Sequence, residues 1–227
     1  MNEEVVKYYD TIAESYDDSR FNNSYGQFID AEERKILDML IDRSKKEKRL
    51  ELACGTGRLT NYATHGLDAS SEMMSYAKKR HQNVSFTLAS ATETGFADEE
   101  FDVVYSFHLL MHLDDDIIKN IFSEAWRILK PGGRLIFDIP SKDRRNLLHK
   151  KRSSWHGSTA FTSAEIEDMT NGLFEIRKRF GIMLFPVHIL PAWMRKSLIK
   201  TDYFLAGMDF LKRYCSYNVY ELVKRDE

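Results

Sequence analysis

The chain has 227 residues, of which 43% are hydrophobic and 30% are charged, a composition typical of one sizeable globular domain rather than a disordered chain. Its formal charge of −2 excludes a strong overall attraction to nucleic acid or membranes, and no run approaches the ~20 apolar residues of a membrane span. The two cysteines match no metal-binding spacing, so no metal site is predicted. The polar amino terminus is unlike a signal peptide, which predicts a cytoplasmic protein. The oligomeric state stays open.

The predicted elements begin with two amphipathic helices and continue with alternating strands and helices. The helices are predicted over residues 3–20, 25–42, 71–80, 114–129, 163–170 and 192–212. The strands are predicted over residues 49–53, 64–68, 84–88, 101–107, 134–139, 174–184 and 217–223. The run Lys130-Pro131-Gly132-Gly133 is a helix stop signal. This alternation predicts an α/β fold with a doubly wound mixed sheet, mostly parallel, with an antiparallel last strand at its edge.

A glycine turn follows the first predicted strand, in the run LELACGTGRLT over residues 50–60. Gly55 and Gly57 favour a close approach of a ligand to the backbone, and a helix is predicted to start here. Asp68 ends the next predicted strand, 11 residues beyond Gly57. The alternative is an ordinary strand-to-helix turn that merely tolerates glycine. The strand before the turn and the acid after it favour a nucleotide-like ligand at the carboxyl edge of the sheet.

The class of ligand is narrowed by what the turn lacks. A dinucleotide fingerprint has a third glycine three residues after Gly57, where this chain has Thr60. The Gly-Lys-Ser/Thr of a phosphate-binding loop is also missing. The sequence therefore favours a nucleoside ligand without phosphates.

Five segments in this order resemble the motif series of class I S-adenosylmethionine-dependent methyltransferases: ELACGTG, GLDAS, FDVVYSF, LLMHL and RILKPGGRLIFDIP. The opening YYDTIAESYDDSRF resembles the amino-terminal lid helix of that family, and the resemblance covers about residues 8–140. It implies one domain with a helical lid (1–45), a cofactor-binding core (46–140) and a small substrate-side cap (141–227). It also implies S-adenosylmethionine as cofactor and S-adenosylhomocysteine as product.

The resemblance implies cofactor contacts from the lid and from each motif. Asp68 would accept hydrogen bonds from the ribose, Met73 would flank the adenine, and Arg20 would pair with the carboxylate. The full implied set is Tyr16, Arg20, Glu51, Ala53, Cys54, Gly55, Thr56, Gly57, Asp68, Ala69, Met73, Ser90, Ala91, Thr92 and Phe107. The chain departs from the family pattern at Ala53, usually glycine, at Ser90, usually an acid, and in the short spacing from Gly57 to Asp68.

Two histidines follow the fourth predicted strand and are candidate general bases, His112 before His108, because imidazole titrates near neutral pH. The alternative for each is local packing or hydrogen bonding. Beyond Pro140, a run containing Arg144, Arg145, His149, Lys150, Lys151, Arg152, Trp155 and His156 either grips an anionic acceptor or is a solvated loop. The apolar stretch 184–205 is a pocket cap, a partner surface or core.

These patterns predict a methyltransferase that acts on an oxygen or nitrogen of a small molecule, with no nucleic-acid partner. The alternatives are a nucleic-acid or protein methyltransferase and a non-catalytic scaffold that binds the cofactor. Near-neutral charge and the missing NPPY-like clamp after the fourth strand disfavour the first alternative.

Overall fold

A computed structural model describes residues 3–149, 157–186 and 189–225. Its seven strands form one sheet in the order β3-β2-β1-β4-β5-β7-β6. The strands are β1 (Arg49–Leu52), β2 (His65–Asp68), β3 (Ser85–Leu88), β4 (Phe101–Ser106), β5 (Leu129–Pro140), β6 (Phe174–Ile182) and β7 (Tyr217–Lys224). The first five strands pair in parallel, and β7 is antiparallel to both of its neighbours. The predicted α/β mixed sheet is confirmed.

Helices precede the sheet and cover its two faces. In the described residues they are α1 (Glu3–Ile12), α2 (Tyr16–Phe21), α3 (Ser24–Leu40), α4 (Ser71–Arg80), α5 (Asp115–Ile128), α6 (Lys142–Leu147), α7 (Ser163–Thr170), α8 (Ala192–Ala206) and α9 (Asp209–Lys212). None of these described helices is both long and apolar enough to cross a bilayer.

The central strands carry side chains for two separate cores because neighbouring residues of a strand point to opposite faces. Val103 and Tyr105 of β4 pack with the apolar stripe of α3, whereas Val104 packs with Ile118 and Phe122 of α5. All five of these side chains are almost fully buried. Each contributes about 1.5–3 kcal/mol through removal of its apolar surface from water.

The structure differs from the sequence predictions in its helices, since the predicted helix 3–20 is divided into α1 and α2, the predicted helix 192–212 into α8 and α9, and α6 was not predicted. The sheet and its connections differ as well. The antiparallel strand β7 lies between β5 and β6, so the sheet edge is β6 rather than the last strand. No α-helix follows the glycine turn: only a 3-10 turn, Thr60–Tyr62, fits the short connection to β2. The α5 helix ends at Ile128, and Pro131 and Gly132 lie within β5 where its pairing with β4 shifts register.

The topology gathers several chain ends at one edge of the sheet. Strands β1, β2, β4 and β5 are parallel, so their carboxyl ends meet there. Strand β6 ends at the same edge, because Ile182 of β6 and Pro140 of β5 both pair with Tyr217 at the start of β7. Ligands of doubly wound sheets bind outside this carboxyl edge.

Candidate active site

A pocket lies at the carboxyl edge, between the sheet and the amino-terminal helices. Its walls come from three regions: the turns after β1 and β2, the segment after β4, and α1 with α2. The lining residues are Val5, Val6, Tyr9, Tyr16, Ala53, Gly55, Asp68, Ser70, Met73, Phe107, His108, Leu109, His112 and Leu113. The pocket is apolar apart from a few polar groups, as small-molecule sites commonly are.

The glycine turn lines the pocket through Ala53 and Gly55. Both residues have left-handed backbone conformations, with φ of 57° and 54°. This explains why glycine is usual at the position of Ala53, since an alanine there is strained by roughly 1 kcal/mol. A Cβ built on Gly55 would meet nothing within 4 Å, so the pocket reaches the backbone at this point.

Gly57 also has a left-handed backbone, with φ of 85°, but it does not line the pocket. A Cβ at this position would lie 3.0 Å from the Cα of Ala77, so glycine is needed for the turn to pack against α4. The Gly57 carbonyl also accepts a 2.7 Å contact from His81. Gly57 thus serves packing, whereas Gly55 serves access to the pocket.

Asp68 is fixed in the pocket by backbone groups of both turns. Its Oδ2 accepts a hydrogen bond from the Gly55 amide at 2.7 Å, and its Oδ1 accepts one from the Ser70 amide at 2.8 Å. Ser70 caps α4 by accepting from the Met73 amide. Burial raises the pKa of Asp68 above its ordinary value, although these amides oppose the change. A ligand group that donates further hydrogen bonds to this carboxylate relieves that burial cost.

Glu51 lies beneath the turn and does not line the pocket. It is buried, and its Oε2 accepts a hydrogen bond from the hydroxyl of Thr60. Burial raises the pKa of Glu51 to about 8, so it is mostly protonated at neutral pH. Thr60, at the place of the third glycine of a dinucleotide motif, therefore supports an acid under the turn.

Two aspartates hold the amino-terminal helices over the pocket. Asp10 of α1 accepts a 2.5 Å hydrogen bond from the Ser70 hydroxyl. Asp17 of α2 accepts a 2.7 Å hydrogen bond from the Thr56 hydroxyl and forms a 2.5 Å ion pair with Arg80. The hydrogen bonds from Ser70 and Thr56 join these helices to the loops that follow β2 and β1. The helices are thus arranged as a closed lid.

Aromatic rings of the lid form one wall of the pocket. The Tyr9 ring makes edge contacts with Tyr16, at 5.9 Å between centroids, and with His112, at 6.0 Å. Burial raises the pKa of Tyr16 to about 12, so its hydroxyl stays protonated. Arg20 is exposed and does not line the pocket, but its charge acts on both phenols.

The ring of His112 is held by a backbone hydrogen bond at one of its two nitrogens. Its Nδ1 accepts a 2.8 Å hydrogen bond from the backbone amide of Gly157. Because that amide can only donate, the neutral ring carries its proton on Nε2. A general base needs a lone pair facing the acceptor. The geometry therefore disfavours the predicted base role of His112.

His108 is held between two buried carboxylates. Its Nε2 lies 2.7 Å from Oε1 of Glu33, its Nδ1 lies 3.6 Å from Oδ2 of Asp138, and its amide donates to Asp138 at 2.6 Å. Burial alone would lower the pKa of His108, but Glu33 and then Asp138 raise it overall. Both nitrogens lie beside acids, so neither directs a lone pair at an acceptor, which disfavours the predicted base role of His108.

Glu33 is charged although it is buried on α3. Burial opposes its charge, but Arg58 at 2.6 Å and His108 hold the pKa of Glu33 at about 2. The donor atoms of Glu33, His108 and Asp138 lie within 4.8 Å of one another, as in some metal sites. Arg58 already supplies positive charge to Glu33, and the imidazole of His108 lies between the two carboxylates. We therefore describe the group as an ion-pair cluster.

The pocket brings together eight of the residues singled out from the sequence: Tyr16, Ala53, Gly55, Asp68, Met73, Phe107, His108 and His112. The other nine do not line it: Arg20, Glu51, Cys54, Thr56, Gly57, Ala69, Ser90, Ala91 and Thr92. Ser90 and Thr92 contact each other at 2.8 Å between their hydroxyls. Cys54 and Ala91 are buried in the core.

Other site residues were not found from the sequence. The acids Asp10, Asp17, Glu33 and Asp138 position the lid and the histidine, and Val5, Val6, Ser70, Leu109 and Leu113 line the pocket. Asp10 and Asp17 could have been found from the sequence, because both lie inside the segment that resembles the lid helix. Glu33 carried no signal, since it lies in an ordinary charged stretch of a helix.

The basic run after β5 has a structural use where it is described. Arg144 donates hydrogen bonds of 2.6 Å to the carbonyls of Leu184 and Tyr214, and Arg145 donates to those of Gly157 and Ser158. These arginines tie neighbouring loops together, which disfavours the interpretation as an anion grip. His149 is described and exposed, whereas Lys150, Lys151, Arg152, Trp155 and His156 lie outside the described residues.

Residues 50–137 match the model of a family described as a methyltransferase domain. A demethylmenaquinone methyltransferase of Thermotoga maritima is 34% identical over 140 residues, which are 58% of this chain and 59% of that protein. The enzyme of the same name from Tropheryma whipplei is 30% identical over 151 residues, or 63% of this chain and 61% of that protein. The chain thus spans about three fifths of the length of these curated relatives.

Solved structures show the same fold. A methyltransferase of Thermotoga maritima, described as a possible histamine N-methyltransferase, superposes with a TM-score of 0.67 at 22% identity, over 88% of this chain and 90% of that one. Phosphoethanolamine N-methyltransferase 1 of Haemonchus contortus, in complex with phosphoethanolamine and S-adenosylhomocysteine, gives 0.68 at 14% identity, over 100% of this chain and 50% of that one. Together with the strand order and the glycine turn, these comparisons show that the chain has the fold of these methyltransferases and that its residues 50–137 resemble a methyltransferase domain.

Proposed function

We propose that this protein transfers a methyl group from S-adenosylmethionine to an oxygen or nitrogen atom of a small organic acceptor. The observation that carries the proposal is a single pocket that joins Asp68, Ser70 and Met73 to the histidine segment after β4. The first group suits a nucleoside, and the second faces the place where an acceptor would enter. Both lie at the carboxyl edge, where such sheets bind their ligands.

The described residues fit the cofactor of the family. When bound, S-adenosylmethionine supplies a methyl group on a positively charged sulfur. Asp68 would accept from ribose hydroxyls, Met73 would flank the adenine, and Gly55 would leave room for the methionine part. The open space at Gly55 and the buried carboxylate of Asp68 support this assignment.

The protein's own contribution is positioning and exclusion of water. Alignment of two reactants is worth up to ~7–11 kcal/mol of barrier, whereas a base adds a smaller amount. The Nε2 proton of His112 would orient the acceptor, and the lid rings of Tyr9 and Tyr16 would cover it. An acceptor that needs no strong base, such as a neutral amine or the oxygen of an acidic phenol, fits this arrangement.

A ring carbon of a quinone-like acceptor is the second candidate. The names of the curated relatives reported above favour it, since both are demethylmenaquinone methyltransferases. The apolar walls of the pocket, including Phe107, Leu109 and Leu113, are compatible with an aromatic acceptor.

Calorimetric titration and a turnover assay together test the proposal. We expect S-adenosylmethionine to bind with 1:1 stoichiometry, and S-adenosylhomocysteine to be released only when an acceptor is present. The acceptor panel contains amines, phenols and quinols, with transfer RNA and a mixture of peptides as controls. Binding without any release would favour a scaffold, methylation of the controls alone would favour the macromolecular alternative, and absence of binding would overturn the proposal.

A further inference from the structure

The carboxyl-terminal cap presents an exposed apolar surface at the same edge of the sheet as the pocket. Helix α6 leaves β5 at this edge, and the segment with α8 and α9 connects the end of β6 to the start of β7 there. We call the exposed apolar side chains of these segments the cap face. They are Leu147, Leu148, Phe185, Ile189, Trp193, Phe204 and Phe210.

The solvent side of α8 carries two of the largest members of the cap face. Trp193 is 80% exposed and Phe204 is 66% exposed. They are 11 residues apart, so they lie on one side of the helix about 16 Å from each other. Lys200 lies between them on the same side, seven residues after Trp193, and is also exposed.

The opposite side of α8 is used for packing within the fold. Asp202 and Ala206 are 1% and 3% exposed, and the carboxylate of Asp202 accepts hydrogen bonds from the amides of Leu184 and Phe185. The ammonium of Lys35 lies 2.9 Å from the ring centre of Tyr203 and joins α8 to α3. The helix is thus fixed with its aromatic side outward, and burial of Trp193 or Phe204 inside this chain would require it to rotate.

Positive charge accompanies this surface. Residues 142–149 and 192–213, which the structure describes, contain eight Lys and Arg against three Asp, a formal charge of +5 in a chain whose total is −2. The remaining residues of the chain therefore carry −7. The near-neutral total, which predicts no attraction to membranes, conceals this separation, since binding depends on local charge.

We propose that the cap face docks on an anionic lipid bilayer. A surface that combines Trp, Phe and Leu with Lys and Arg suits the lipid headgroup boundary, where rings enter the interface and cations meet lipid phosphates. The cores of protein interfaces are depleted in lysine, so Lys200 between the two rings favours lipid over a protein partner. The docking proposal rests on the proposed function, and it identifies membrane-borne amphipathic molecules as the class of methyl acceptor.

Sedimentation with vesicles tests the docking without any activity measurement. The full chain is mixed with vesicles of phosphatidylcholine alone or with 30% phosphatidylglycerol, at low and at physiological salt. We expect binding to the anionic vesicles that weakens with salt, and about tenfold weaker binding by the double variant Trp193→Ser with Phe204→Ser. The matched control is Met39→Ser with Leu88→Ser, which removes two exposed apolar side chains outside the cap face and keeps wild-type binding.

Each other outcome overturns the proposal. These are no binding of the wild type to anionic vesicles, equal binding by the cap-face variant, or a wild-type dimer in sedimentation velocity that this variant dissociates. The last outcome would identify the surface as a contact between two copies. A titration with S-adenosylmethionine, measured in parallel, should be unchanged in the cap-face variant. If the wild type binds vesicles but not the cofactor, the proposed function fails while the docking stands.

Discussion

Asp10 of the lid and Ser70 of the cofactor-binding loop share a 2.5 Å hydrogen bond. The same Ser70 hydroxyl accepts from the Met73 amide at the start of α4, and the Ser70 amide donates to Asp68. The lid is therefore attached to the loop that carries the predicted ribose ligand. Closure of the lid and order in this loop depend on one set of hydrogen bonds.

Loss of the lid contact is expected to weaken cofactor binding. Asp10→Ala removes a charged acceptor, which costs about 1–2 kcal/mol, or roughly fivefold to thirtyfold in affinity for S-adenosylmethionine. Isothermal titration calorimetry measures the change. Asp18→Ala is the matched control, because the carboxylate of Asp18 accepts a hydrogen bond from the neighbouring Asn22 and not from the cofactor-binding loop. Equal affinity for Asp10→Ala and the wild type would show that the lid contact is not coupled to binding.

Asp68→Asn should have a larger effect than loss of the lid contact. The two oxygens of Asp68 each accept a backbone amide, and an amide side chain must turn its own donor toward one of them. We expect affinity for S-adenosylmethionine to fall at least about tenfold, in line with ~1–3 kcal/mol for a buried unsatisfied donor. Calorimetry checks this, with Glu72→Gln on the exposed first turn of α4 as a control of equal charge change. Unchanged affinity would remove Asp68 from the cofactor site.

Two substitutions distinguish whether His112 acts as a hydrogen-bond donor or as a general base. His112→Gln keeps an N–H donor near the position of Nε2 but is not basic, whereas His112→Ala removes both properties. If His112 orients the acceptor by donation, kcat for the glutamine variant stays within about tenfold of wild type and the alanine variant loses more. If His112 is instead a base, kcat falls by ~10²–10⁴ in both variants. Cofactor affinity, measured separately, should stay the same in both.

The cluster around His108 predicts two pH limits of stability. Glu33 has a folded-state pKa of about 2 against an ordinary 4.5, so its stabilisation is present above pH 4.5 and is lost as the pH falls toward 2. His108 has a raised pKa, so its stabilisation is present below its ordinary 6.5 and is lost as the pH rises through the folded-state value. Burial raises the pKa of Asp138 from its ordinary 3.8 to about 6, so its contribution falls as the pH rises from 3.8 to 6 and opposes part of the gain from Glu33 in that range.

Glu33→Gln should therefore make the free energy of unfolding depend less steeply on pH in both the acidic and the alkaline range. Urea denaturation between pH 3 and pH 9 gives the free energy of unfolding at each pH. Glu14→Gln, at an exposed glutamate of the lid, is the control and should keep the wild-type profile. If Glu33→Gln keeps both slopes, the carboxylate of Glu33 does not hold the proton of His108.

Much of the fold was predictable because its signals are local. The periodicity of α5 and the β-rich run 101–107 placed these elements within one or two residues of their observed bounds. The position of β7 was not predictable in this way. Its insertion between β5 and β6 depends on the cap segment crossing the edge of the sheet, and strand periodicity contains no information on neighbours.

The site was predictable to the extent that it follows from the glycine turn and the ends of strands. Gly55 and Asp68 meet at 2.7 Å as parallel strands β1 and β2 require. At Gly57 the structure adds a reason for glycine that the sequence did not reveal, since a Cβ there would lie 3.0 Å from the Cα of Ala77 in α4. The base roles of His108 and His112 depended on which lone pairs their neighbours occupy, which a sequence does not specify.

The sequence by itself therefore determined the order of elements, the turn at Gly55 and the acid at the end of β2. Backbone conformation and alternation are set by residues a few positions apart, so they can be read along the chain. Only the tertiary structure decided that Asp10 holds the lid and that Glu33 raises the pKa of His108. The chain has 35 acids of similar chemistry, and these two act across 60 and 75 positions of sequence. Packing of the helices against the sheet selects them, because burial and proximity, rather than residue type, determine which charges interact.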